Sequence, residues 1–136
     1  MLQVRGAGWA AIALCLALGA AAQAAPLPEA AHSTIGYPTP EAALAALRAK
    51  PGVEFSTQDG WTIASDAATN TVWSFPPEHD PAYPAVVKRQ ITPAPDGAMS
   101  VQMDVLCAAS KSACDDLVKA FQRMNDEARS QLQGGD

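Results

Sequence analysis

The chain is 136 residues long, enough for one domain. Nine basic residues against fourteen acidic ones give a net charge of −5, which excludes the basic footprint of a nucleic-acid binder. Apolar residues make up 49%, with only 9 Gly and 11 Pro, so the chain is neither disordered nor fibrous.

Residues 1–24 read as a secretory leader. Arg5 is the lone positive charge ahead of an apolar run from Ala7 to Ala22. Ala22-Gln23-Ala24 is a small-x-small cleavage pattern, with Pro26 just beyond it. The run is shorter than the roughly 20 residues needed to span a bilayer, so no membrane anchor is expected after cleavage. Leu14 precedes Cys15 in the middle of the run, which argues against lipidation. Cleavage would remove Arg5 and Cys15. Eight basic residues would then face fourteen acidic ones, and Cys107 and Cys114 would remain as an even pair. In an oxidising compartment such a pair reads as a structural disulfide. The C-x6-C spacing matches neither a C-x-x-C redox motif nor a paired zinc knuckle. The expected location is periplasmic or secreted, where an acidic domain is repelled by polyanions.

Residues 25–38 form a polar lead-in without periodicity, expected as a flexible arm. A single domain is expected over 39–133. Thr39 suits an N-cap, Pro40 the first helical position, and Glu41 the positive end of the dipole. Ala and Leu dominate from Ala42 to Ala49, with Leu44 and Leu47 as the buried stripe, and Pro51-Gly52 ends the helix.

From Val53 the period becomes two. Strands are expected at Val53–Thr57, Trp61–Asp66, Thr71–Phe75, Ala85–Thr92 and Ala98–Leu106. Asp59-Gly60 and Asp96-Gly97 are hairpin signals, and Ala67–Asn70 is a weaker turn. Short links favour an antiparallel meander. On the last strand Met99, Val101, Met103, Val105 and Cys107 share one face, and Ser100, Gln102 and Asp104 the other. One sheet face is therefore expected against a core and one toward water.

A second helix is expected from about Ser112 to Leu132, with Ser112 as cap and Asp115 completing a capping box. Cys114, Leu117, Val118, Phe121, Met124, Ala128 and Leu132 form its apolar stripe. The expected fold is α+β in two layers: a short N-terminal helix, a five-stranded antiparallel meander, and a long C-terminal helix packed on one sheet face.

The least generic stretch runs from Trp73 to Pro84. Four prolines between Pro76 and Pro84 stiffen it, so little ordering entropy is left to lose on binding. Trp73 and Phe75 read either as anchors for a protein partner or as core residues of the third strand. His79 and Tyr83 are harder to bury and read as candidate binding residues. Glu78-His79-Asp80 could do acid/base or metal work, but a metal needs three or four ligands, and the other histidine of the mature chain is His32 in the arm. Ser74 lacks the Gly-x-Ser-x-Gly setting of an esterase nucleophile. Met99 and Met103 read as core filler rather than as copper ligands. No cofactor is expected.

Lys88-Arg89 is the one adjacent basic pair of the mature chain. If Val87 and Ile91 face inward, Arg89 shares the core face and needs a partner; if Val86 faces inward, Lys88 does. Both registers remain open at this level.

Trp73-Ser74-Phe75-Pro76, the run from Ala82 through Tyr83 to Arg89, and the Cys107/Cys114 pair together resemble small exported proteobacterial proteins without an assigned activity. The resemblance implies location and fold, and no chemistry. The expectation is a non-enzymatic protein of the cell envelope that binds another protein, of inhibitor, immunity or accessory type. Its candidate binding residues are Trp73, Phe75, His79, Tyr83 and Arg89. The alternative is a small periplasmic hydrolase or metal-handling protein using His79.

Overall fold

The computed structural model describes residues 34–134; the leader lies outside them. Helix α1 spans Pro40–Ala49. Strands β1 (Val53–Gln58), β2 (Trp61–Asp66), β3 (Thr71–Phe75), β4 (Ala85–Pro93) and β5 (Met99–Cys107) follow, and α2 spans Lys111–Gln133. The strands lie in chain order in one antiparallel sheet. The α+β class, the antiparallel meander and the long C-terminal helix on one sheet face agree with expectation.

Local chemistry accounts for the turns and caps. The Thr39 hydroxyl accepts from the Ala42 amide at 3.1 Å and starts α1. The β1–β2 link is Asp59-Gly60, both at positive φ (49° and 83°), the backbone a tight hairpin requires and glycine adopts without strain. The cap of helix α2 lies two residues before the expected one. Ser110, not Ser112, accepts from the Ala113 amide at 3.2 Å. Asp115 therefore lies one turn inside the helix, where it pairs with Lys111 instead of closing a capping box.

The layer count differs from the expected two. Ile35, Ala43, Leu47, Ala64, Trp73, Phe75 and Val86 form one core under α1. Ala82, Ala85, Val87, Leu117 and Phe121 form another under α2. Successive strand residues point to opposite faces, so the two clusters lie on opposite sides of the sheet. The cause is β4, where Ala85, Val86 and Val87 are all buried, as on a strand covered on both sides.

The arm boundary also shifts. Ile35 is buried and Tyr37 packs against the α1 core, so the packed chain begins before residue 39. Apolar side chains at 35 and 37 have a core to join, which the reading of a polar arm overlooked. Residues 25–33 of that arm lie outside the described region.

Two ties hold the helices in place. The Lys50 ammonium, just past α1, pairs with the buried carboxylate of Asp66 at the end of β2. Asp66 also accepts from the Ala68 amide at 3.2 Å. On the other face, Cys107 at the end of β5 is disulfide-bonded to Cys114 in the first turn of α2, with Cα atoms 5.8 Å apart. No described helix is long and apolar enough to cross a membrane.

Candidate functional site

The structure separates the residues singled out from sequence. Trp73 and Phe75 are buried in the α1 core, where Trp73 meets Tyr37 edge-on with ring centroids 5.9 Å apart. Burial removes both from any exposed binding surface, and the core reading holds for them. His79 lies exposed on the Pro-rich loop, beside the Gly60 turn. Tyr83 is 40% exposed and borders a small hollow with Pro40, Leu44 and Phe75 on the α1 side. Among the described residues, no group of three or more His, Cys, Asp or Glu is arranged to hold a metal ion.

The two registers left open for Lys88 and Arg89 are both realised, because both faces are covered. Lys88 faces the α1 side with its ammonium 5.2 Å from the Trp73 ring centre. Arg89 faces the α2 side with its guanidinium 5.1 Å from the Phe121 ring centre. Each cation rests on an aromatic face, a favourable contact that satisfies none of its N–H groups.

Arg89 opens into a cleft of about 490 Å³ between α2 and the half of the sheet that α2 leaves uncovered. Ile63, Ser74 and Arg89 form its floor, one from each of β2, β3 and β4. Leu117, Phe121 and Met124 of α2 form one wall. The opposite wall is the β1–β2 hairpin with Asp59 and Trp61, and the end is closed by Asp80, Pro81 and Ala82 of the Pro-rich loop. Trp61 and Phe121 approach across it, with ring centroids 5.7 Å apart. The disulfide fixes the start of α2 against β5 and so sets the position of that wall.

Two polar groups in this cleft lack partners. Ser74 is 1% exposed, and its Oγ makes no hydrogen bond; the Arg89 Nε is buried and equally unpaired. Burial pushes the Arg89 guanidinium below its ordinary pKa. A guanidinium nevertheless remains cationic at neutral pH, and its buried Nε–H without an acceptor is destabilising. Buried polar groups in folded proteins are overwhelmingly satisfied, so two unpaired groups in one cleft set this place apart.

Sequence reasoning named Arg89 but placed it with the aromatic loop residues. It missed Ser74 as part of a pocket and missed Trp61 altogether. The available signal was the uninterrupted Ala85-Val86-Val87 run, which implies two covered faces and hence an inward Arg89 on one of them.

No family model matches the chain, and no curated protein or solved structure matches it either.

Proposed function

We propose that this is an exported, non-catalytic protein of the cell envelope that acts by binding another protein, and that the Arg89 cleft is where it binds. The observation that carries this is the pair of unanswered buried groups, Arg89 Nε and Ser74 Oγ, in a cleft with apolar walls. A few convergent polar groups in an apolar concavity are the common form of a binding site. The leader-like residues 1–24 and the Cys107–Cys114 disulfide support export into an oxidising compartment. The resemblance to small exported proteobacterial proteins supports the same location. Inhibitor, immunity and accessory roles all use such a surface. His79 does not line the cleft and is exposed on its loop, so the hydrolase or metal-handling alternative gains no support.

The test is in-cell photocrosslinking from position 124, at the cleft wall, with the captured partner identified by mass spectrometry. A single protein partner is expected, lost in Arg89→Met and retained in the loop double variant His79→Ala/Tyr83→Ala. Capture that survives Arg89→Met but is lost in the loop variant would move the binding surface to the loop. No protein captured from position 124 would overturn the reading.

A further inference from the structure

The chemistry of the cleft restricts what can fill it. Cross-strand register puts Ser74 opposite Val87, with Arg89 two residues further along β4, so both project to the same sheet face. A hydroxyl donor beside a planar guanidinium fork matches a carboxylate, which can accept two parallel hydrogen bonds from the fork. Trp61, Ile63, Leu117 and Phe121 supply apolar lining, and the Phe121 ring lies 5.1 Å from the guanidinium. Three carboxylates line the same cleft: Asp59, Asp80 and Asp116. Asp80 is turned partly inward to accept from the Ala82 amide at 2.8 Å, while Asp59 and Asp116 are exposed.

This balance of charges works against a simple anion, because three carboxylates share the cleft with one cation. It favours a ligand with a carboxylate at its tip, an apolar group next, and a positive charge behind. At about 490 Å³ the cleft has the scale of a small-ligand pocket, suited to a chain end rather than to a helix laid along a groove. Capture of a chain-terminal carboxylate is an established mode of peptide recognition.

We propose that the cleft takes the C-terminal segment of the partner polypeptide. Its terminal carboxylate is bound by Arg89 and Ser74, and its last side chain is apolar and packs against the touching rings of Trp61 and Phe121. A Lys or Arg one to three residues earlier meets Asp59, Asp80 and Asp116. This rests on the protein-binding reading above and adds the chemistry of the partner.

The experiment presents the oxidised protein, as isolated, with two pools of acetylated hexapeptides randomised at their last four positions. One pool ends in a free carboxylate and the other in a carboxamide. The free-acid pool should be retained at least tenfold better, enriched in a last apolar residue and in Lys or Arg just before it. Arg89→Met should abolish this retention, Arg89→Lys should weaken it at least tenfold through loss of the fork, and Ser74→Ala should weaken it less. Thermal melting guards against misfolding: Arg89→Met removes a buried Nε–H that has no acceptor and keeps the apolar stem, so its midpoint should be no lower than that of the unsubstituted protein. Equal retention of the two pools, retention insensitive to Arg89→Met, or no retention of either pool would overturn the inference. If the cell-derived partner is still captured through Arg89 in that event, the protein-binding reading stands and only the terminal-carboxylate chemistry falls. Saturable binding of decanoate with no peptide retained overturns the inference and makes the cleft a small-molecule site.

Discussion

Val86 and Val87 are neighbours in the chain, both are fully buried, and they belong to different cores. Val86 packs under α1 with Leu47 and Trp73, and Val87 under α2 with Leu117 and Phe121. Val86→Ala and Val87→Ala are each expected to cost about 2 kcal/mol, the loss of two buried methyl groups plus an unfilled gap. Urea unfolding measures both. A sheet open on one face would leave one of the two substitutions nearly neutral.

Helix α2 is anchored as far as Asn125, which is buried and donates to the Met103 sulfur at 3.5 Å, and is exposed beyond it. Leu117 and Phe121 are buried, but Met124 is largely exposed and Leu132 is 70% exposed. Phe121→Ala should therefore cost about 3–5 kcal/mol. Lys119→Ala and Leu132→Ala should each stay within about 0.5 kcal/mol. A large loss at Leu132 would show that the last turns are covered in solution.

Acid should act through Asp66. The Lys50 ammonium holds the Asp66 carboxyl below the usual carboxylate range, and Asp66 in turn raises Lys50. A depressed carboxyl stabilises the fold fully above its unfolded value and loses that contribution as pH falls through its folded value. The raised Lys50 contributes below the ordinary lysine range and loses its share only in strong alkali. Asp66→Asn should thus be less stable than the unsubstituted protein at pH 7, with the two urea midpoints converging as pH falls below the usual carboxylate range. Parallel curves across that range would remove Asp66 from the acid response.

Mass spectrometry of the native protein should show a chain that begins at Ala25 and is lighter by two hydrogens than its reduced form. Reduction of Cys107–Cys114, or Ser at both positions, should lower stability by about 2–3 kcal/mol through release of a short closed loop. An intact Met1 would contradict export, and two free thiols would contradict the oxidised state.

Much of the scaffold is legible in single residues. Thr39 and Pro40 announce α1, Asp59-Gly60 announces a tight hairpin, and Leu117 with Phe121 marks the inward face of α2. Other features depend on what only the assembled chain can decide. Ser110 and Ser112 are equivalent caps by type, and the choice falls to the hydroxyl that reaches an amide, which is Ser110. The layer count turns on whether Val86 and Val87 are alternatives or both inward, and that depends on α1 finding the second face. The cleft was the least legible part. Trp61, Ser74 and Arg89 stand on three strands, so their meeting follows from register. The lack of a partner for the Arg89 Nε is a property of every neighbour at once.

The two cores also divide the chain in time. Every buried member of the α1 core lies between Ile35 and Val86, whereas the α2 core awaits Leu117 and Phe121. A chain that emerges amino-terminus first can close the α1 side while α2 is still to come. The uncovered α2 side of β4 is then exposed until the last third of the molecule arrives. The cleft wall is thus the final piece laid down, and Arg89 meets Phe121 only when the chain is almost complete.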